Sequence, residues 1–276
     1  MRSSSATATT DGRHPSTLDA EARRALLVGA VLAALVLALP FLRFVFSYLT
    51  ILVHELGHAL FAWLFGYPAI PSFDFHYGGG FTSYESRKTI LLGLVFTGWV
   101  VALYAYRHHR PGLLAVGGLA GLYTLLALTQ LHELLIGFMG HGAELAFAGI
   151  FLYRALGGSA VKVRAERPLY AFLAFFIVAG DARFALDLVR SPLERQLYAE
   201  AKGGGDWMDF SLLGRGLGLE LTTVAGLFFL FTLLVLPLTW FVYRHREKLG
   251  ETVHRVFLRP WEERAGSAGS GSLSGG

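Results

Sequence analysis

Long apolar runs dominate this sequence and limit what it can fold into. A helix needs about 20 apolar residues to cross the hydrocarbon layer of a bilayer, and the chain contains several runs that approach this length. Of its 276 residues, 54% are hydrophobic and 16% are charged, whereas soluble proteins carry about 25% charged residues. The pattern predicts an all-α, polytopic membrane protein whose solvent is the lipid bilayer.

We expect about seven transmembrane helices. Pro40 and Arg43 interrupt the first apolar stretch, so we divide that stretch into two helices. The predicted spans cover residues 25–46, 47–65, 89–106, 112–137, 142–157, 169–189 and 218–243. The polar segment 191–216 is predicted to be the only sizeable loop, and it joins the last two spans.

The predicted membrane domain covers residues 21–247. Residues 1–20 are polar and predict a flexible tail without a cleavable signal. Residues 248–276 form a basic segment that ends in a Gly/Ser-rich stretch of linker composition. Basic residues form short clusters between apolar runs, which indicates contact with lipid head groups and argues against a nucleic-acid partner.

The basic segments 154–167 and 244–264 fit the cytoplasmic side of the membrane under the positive-inside rule. With seven spans, the N-terminus would then lie outside. The N-terminal arginines weakly favour the opposite placement, namely Arg2, Arg13, Arg23 and Arg24.

A polar stretch follows the second span, between residues 66 and 88. It alternates apolar and polar side chains from Phe73 to Tyr77 and then continues with three glycines. We predict a short β-hairpin or re-entrant segment. Because unpaired backbone groups cannot face lipid, we expect this segment at the interface or beside a wet cavity.

The second span carries the motif His54-Glu55-Leu56-Gly57-His58. Histidines four apart lie on one face of a helix, as in two-histidine zinc sites. Zinc lowers the pKa of a bound water toward about 7, and Glu55 would take its proton and deliver it to the leaving amine. The chain has no cysteine, so ligands must be His, Asp or Glu. Three ionisable groups in an apolar span, each costing at least about 2.5 kcal/mol, favour a functional Zn²⁺ site.

The segment His54 to Phe65 resembles the site-2 protease family of intramembrane zinc metalloproteases, in particular its compact bacterial branch. The stretch from Gly78 to Thr82 is similar to the glycine-rich segment of that branch. The resemblance implies a zinc-dependent endopeptidase of the bacterial cytoplasmic membrane that cuts transmembrane or membrane-tethered protein substrates. It also implies that an extended element pairs with the substrate. The candidate substrate-binding residues are Gly79, Gly80, Phe81 and Thr82, although an ordinary connecting turn explains them equally well.

The third metal ligand of that family is an Asp in a Leu-Asp-Gly motif, which this chain lacks. We expect the substitute to be His141 or Glu144, which share a face at the start of an apolar helix. The second of the pair would then orient a ligand or polarise the substrate. Asp181 is the alternative ligand, although nearby Arg183 offers it an ion pair. Asp206 and Asp209 lie in the polar loop and are expected to be structural or gating residues.

The pair His132-Glu133 repeats the first two residues of the motif, but Ile136 replaces the second histidine. This pair cannot form the same chelate, and we expect it at the membrane interface. A zinc-binding membrane scaffold or metal carrier without proteolytic activity is the competing hypothesis for the whole protein. Glu55 argues against it, because a carrier does not need a general base between two ligands. Whether copies of the chain form a homo-oligomer stays open.

Overall fold

The computed structural model describes residues 18–74, 79–201 and 208–259. Within these ranges the chain forms ten α-helices and a two-stranded sheet. The elements are α1 (Ala20–Ala38), α2 (Pro40–Leu64), β1 (Ala69–Phe73), β2 (Gly80–Tyr84), α3 (Thr89–Tyr106), α4 (Arg110–Leu128), α5 (Leu131–Gly157), α6 (Glu166–Arg190), α7 (Pro192–Glu200), α8 (Asp209–Leu217), α9 (Leu221–Arg244) and α10 (Arg246–Val253). The predicted N-terminal tail up to residue 17, the residues 75–78, Asp206 and the Gly/Ser-rich tail lie outside the described residues.

Five of the long helices are apolar enough to cross a membrane by length and composition, namely α2, α3, α4, α5 and α9. This finding agrees with a membrane protein. Helices α1 and α6, with 19 and 25 residues, are of similar length but do not belong to that set. The count of seven spans therefore stays a prediction.

The bounds predicted for the middle spans are wrong. Helix α4 ends at Leu128, and α5 then runs without interruption from Leu131 to Gly157. His141 consequently lies in the middle of a helix and not at its start. Gly140 and Gly142 lie inside α5 and do not interrupt it. Small residues at such positions permit close packing against a neighbouring membrane helix.

The segment 191–216 is not a plain loop. It contains helix α7 and most of helix α8, and Asp209 is the first residue of α8. The break in the first apolar stretch occurs at Leu39, so Pro40 is the first residue of α2. Proline is favoured there because the first helical N–H has no partner within the helix.

The hairpin predicted after the motif helix is confirmed. Strands β1 and β2 pair antiparallel, with Ala69 opposite Tyr84 and Phe73 opposite Gly80. The indole Nε1 of Trp63, near the end of α2, donates to the Ala69 carbonyl oxygen at 2.9 Å. This bond fixes the hairpin to the end of the motif helix.

Helices α2 and α5 are antiparallel neighbours. His58 contacts the carbonyl of Ile136, near the start of α5, whereas His54 contacts Glu144, two turns further along. The motif therefore lies nearer the end at which α5 begins. Here Tyr67, just after α2, bonds through its hydroxyl to His132 Nε2 at 2.9 Å. His132 is buried within the protein near the start of α5, and its position at the membrane interface stays a prediction.

The basic segments lie at the opposite end of the molecule, where α5 ends. Arg167, at the start of α6, donates to the Ala155 and Leu156 carbonyls at the end of α5. Its guanidinium also pairs with Asp19 and Glu21 at 3.1 and 3.4 Å. The start of α1 thus lies at the same end as the basic α5–α6 connection, which differs from the expectation for the N-terminus.

Candidate metal centre

Three side-chain atoms from two helices converge at one point. His54 and His58 lie one turn apart on α2, and their Nε2 atoms are 3.0 Å from each other. Asp209 Oδ2, from the start of α8, lies 2.8 Å from His54 Nε2 and 3.2 Å from His58 Nε2. The three atoms form a nearly equilateral triangle.

The sides of this triangle, 2.8–3.2 Å, are slightly shorter than the ligand spacing of a zinc site. Zinc binds His nitrogens at about 2.0–2.1 Å, so ligand atoms around a tetrahedral ion lie about 3.3 Å apart. Two imidazoles and one carboxylate also match the ligand types of catalytic zinc sites, which keep a fourth position open. The donor set therefore fits Zn²⁺ in its chemistry, and its spacing is close to that of a zinc site.

The outer ring nitrogens of both histidines face acceptors. His58 Nδ1 donates to the Ile136 carbonyl oxygen at 2.8 Å. His54 Nδ1 faces the Glu144 carboxylate at 3.5 Å. A proton on each Nδ1, assigned from these partners, leaves the Nε2 lone pairs directed toward Asp209 and available to a metal.

Glycines on both helices permit this close approach. A methyl group at Gly140 of α5 would lie 2.5 Å from His54 Nε2 and would also overlap His58 Nε2. A methyl group at Gly57 of α2 would overlap the Met139 carbonyl oxygen. Any side chain at Gly140 would therefore occupy the space that the two imidazoles need.

Glu55 lies beside the triangle and contacts the hairpin. The Thr82 hydroxyl donates to Glu55 Oε2 at 2.6 Å. A methyl group at Gly80 would lie only 2.7 Å from Glu55 Oε1. Strand β2 thus covers the carboxylate and holds it in one position, and Glu55 is only 6% exposed.

The structure brings His141 and Glu144 to the centre, on the outer side of His54. His141 Nδ1 donates to Glu144 Oε2 at 2.7 Å, and the same oxygen faces His54 Nδ1. His141 also offers a ligand atom within 4.8 Å of those of His54 and Asp209. The role of either residue as the third ligand stays a prediction.

Asp181 belongs to a second cluster of possible metal ligands, together with His141 and Glu144. Its ligand atoms lie within 4.8 Å of those of His141 and Glu144. The pairing of Asp181 with Arg183 is absent from the described residues, since Arg183 instead pairs with Asp187 at 3.6 Å. One Asp181 oxygen is buried without a hydrogen-bond partner in the described part of the chain.

Comparison of the chain with models of known protein families, with curated protein sequences and with solved structures returned no match.

Asp209 is the residue whose position sequence reasoning missed. The Tyr198 hydroxyl accepts the N–H of Phe210, the next residue, at 3.1 Å and helps to fix the start of α8. The sequence signal that could have identified Asp209 is its position directly before the apolar residues of α8.

A cavity of about 810 Å³ opens onto the triangle. The predicted substrate-binding residues Gly79, Gly80, Phe81 and Thr82 all line it. The lining also includes Tyr67 and Glu133 at the end where α5 begins. The cavity is large enough to admit several residues of an extended peptide.

Proposed function

We propose that this protein is an intramembrane zinc endopeptidase that hydrolyses peptide bonds of transmembrane or membrane-tethered proteins. The observation that carries the proposal is the triangle of His54 Nε2, His58 Nε2 and Asp209 Oδ2, with sides of 2.8–3.2 Å, beside Glu55. The triangle opens onto a cavity between helices that are apolar enough to cross a membrane. The proposal agrees with the resemblance of the motif to site-2 proteases.

We assign zinc binding to His54, His58 and Asp209. Bound zinc supplies a Lewis acid and lowers the pKa of a coordinated water toward about 7. Glu144 and the Ile136 carbonyl hold the two imidazoles in the tautomer that presents Nε2. In this assignment His141 supports Glu144 through their 2.7 Å hydrogen bond and does not itself bind the metal.

Glu55 acts as the general base and then as the general acid. The Thr82 hydroxyl occupies Oε2, so Oε1, against Gly80, is free to receive the proton of the attacking water. The same carboxyl then returns the proton to the amine nitrogen that leaves. Burial keeps bulk water away from this exchange.

Strand β2 is the candidate surface for the substrate. Within the described residues it has one strand neighbour, β1, so its other edge lacks a strand partner. An unwound peptide that added to this edge would form backbone hydrogen bonds with Phe81 and Thr82. Phe81, which is 45% exposed and lines the cavity, would contact its side chains.

Metal content tests the ligand assignment. We expect purified wild type to contain about one zinc per chain and to lose peptidase activity on chelation, with recovery when zinc is restored. Asp209→Asn and His58→Ala should lose most of the zinc. Glu144→Gln should weaken zinc binding by about 10- to 100-fold, because it orients His54 without binding the metal.

Two outcomes would contradict the proposal. Full zinc in Asp209→Asn, together with zinc lost in His141→Ala or Asp181→Asn, would move the third ligand to α5 or α6. Zinc bound by wild type without cleavage of any of a range of membrane substrates would favour the non-proteolytic scaffold or carrier.

A further inference from the structure

The side chains that line the cavity above the metal centre include several carboxylates and no permanently cationic group among the described residues. The five carboxylates are those of Glu55, Glu85, Glu133, Glu144 and Asp209. A cleft lined by one sign of charge, with apolar walls, concentrates ligands of the opposite sign. The lining therefore favours a cationic group on the substrate.

Most of these carboxylates already have partners. Asp209 and Glu144 contact the histidines, and Glu55 accepts from Thr82. Glu85 pairs with Lys88 at 3.2 Å, at a site where both side chains are largely exposed. Glu133 is exposed as well, but no residue in the described part of the chain bonds or pairs with its carboxylate, so its charge is available to a substrate.

The position of Glu133 relative to the metal centre follows from helix geometry. Glu133 and Gly140 are seven residues apart on α5, which places them on one face about 10 Å apart along the axis. Gly140 lies directly against the ligand nitrogens of His54 and His58. An extended peptide advances about 3.3 Å per residue, so Glu133 lies at the level of the third residue from the bond above the metal.

An aromatic ring, that of Tyr67, lies at the same end of the cavity as Glu133. Tyr67 lines the same cavity, and its ring stacks on that of His132, the residue before Glu133, with centroids 5.7 Å apart. Glu85 lies at the same end, since its N–H donates to the carbonyl of Pro68, next to Tyr67. The Tyr67 ring already has the guanidinium of Arg87 over it, 5.6 Å from its centroid. Glu133 is therefore the group at this end of the cavity that is available to a cation on the substrate.

We propose that Glu133 determines substrate specificity by binding a Lys or Arg side chain about three residues from the scissile bond. This inference rests on the proposed peptidase function and narrows its substrate class. The substrates are membrane proteins that carry a basic residue next to the cleaved segment. Glu133 acts in binding and takes no part in proton transfer.

The test uses the full-length protein in detergent and one transmembrane substrate with a mapped cleavage site. Lys, Gln or Glu is placed at the third residue on either side of the cleaved bond, and kcat/KM is measured for each. On one of the two sides, wild type should cut the Lys substrate about tenfold faster than the Glu substrate. Glu133→Gln should lose this preference, and Glu133→Lys should reverse it.

Glu194→Lys is the matched control, because Glu194 is exposed on α7 and does not line the cavity. This variant should keep the wild-type preference. Equal cleavage of all substrates by active wild type would overturn the inference, as would a preference that survives in Glu133→Gln. A different result would contradict the peptidase function itself. That result is that wild type cuts none of the substrates, or cuts them no faster than Glu55→Gln does.

Discussion

At the scale of single residues, the geometry of the centre depends on Gly140, which has no side chain, as much as on the histidines and Asp209. Gly140 lets α5 approach α2 until its backbone lies against the imidazoles of His54 and His58. His54 and His58 can then present Nε2 to Asp209 while their Nδ1 atoms are held from behind. The spacing of the ligands is thus set by backbone packing.

Gly140→Ala should therefore empty the metal site. The added methyl group would lie 2.5 Å from His54 Nε2, so an imidazole must rotate away from the triangle. We expect zinc content to fall by at least about tenfold, measured by elemental analysis of purified protein. Gly137→Ala is the control, since no atom lies within 4 Å of its added methyl group. Normal zinc in Gly140→Ala would show that Gly140 does not govern the spacing.

Thr82→Val should separate catalysis from metal binding. The substitution keeps the shape of the side chain and removes the hydroxyl that donates to Glu55 Oε2 at 2.6 Å. We expect kcat to fall by about tenfold, because a misplaced base transfers protons less efficiently, with zinc content unchanged. Ser83→Ala, on the exposed face of the same strand, should keep wild-type kcat. An unchanged kcat in Thr82→Val would exclude a role for Thr82 in placing the base.

The sequence could predict one half of this centre and not the other. His54, Glu55 and His58 are neighbours in the chain, so helical periodicity alone brings them together. Asp209 reaches them across more than 150 residues of sequence, and no local pattern encodes that contact. His141 and Glu144 were predicted as alternatives for the third ligand because they share a helix face. The structure places both beside His54, and metal binding by either one stays a prediction.

At the scale of helices, Arg167 joins three segments. Its guanidinium donates to the Ala155 and Leu156 carbonyls at 2.7 and 2.8 Å, which satisfies the end of α5. The same group pairs with Asp19 and Glu21 at the start of α1. Arg167 is only 5% exposed, so water cannot readily replace these bonds.

Arg167→Met should destabilise the fold without changing the metal ligands. Two buried carbonyl groups would lose their donors, which costs about 2–4 kcal/mol of the free energy of unfolding. The measurement is thermal or denaturant unfolding in detergent. Arg183→Met removes an exposed pair of 3.6 Å with Asp187 and should cost less than about 1 kcal/mol. Equal stability of the two variants would contradict the role assigned to Arg167.

The helix bounds show where apolar patterns mislead. The predicted spans 112–137 and 142–157 leave a break around Gly140 and Gly142, and α5 has no such break. The two glycines continue α5, since the space they leave is filled by neighbouring side chains from α2 and from α5 itself. Helix α8 was missed because it has only nine residues and follows a polar stretch. The hairpin was predictable, since alternating residues and glycines are local signals.

At the scale of the whole molecule, the basic segments collect at one of its two ends. The start of α1, the α5–α6 connection and the end of α9 share one end, where Arg167 and the basic segment 244–259 lie. The α3–α4 connection lies there too, because the Tyr106 hydroxyl donates to the Phe257 carbonyl. The metal centre is nearer the other end. The positive-inside rule predicts that the basic end is cytoplasmic and that the cavity opens toward the outer side.

Cysteine labelling of intact cells tests this orientation. The chain has no cysteine, so single substitutions can be labelled without background. Ser159→Cys, in the α5–α6 connection, should react with a membrane-impermeant maleimide only after the cells are opened. Ser86→Cys, after β2, should react in intact cells. The reverse pattern would place the cavity on the cytoplasmic side.

The central claim is that this centre hydrolyses peptide bonds, and product mass measures it most directly. Zinc-loaded wild type and Glu55→Gln are incubated with one membrane-spanning substrate, and all products are weighed by mass spectrometry. We predict two wild-type fragments whose masses sum to that of the substrate plus one water. Glu55→Gln should bind as much zinc and form these fragments at least about 100-fold more slowly. Equal rates in the two proteins, or fragments that have not gained one water, would contradict the account.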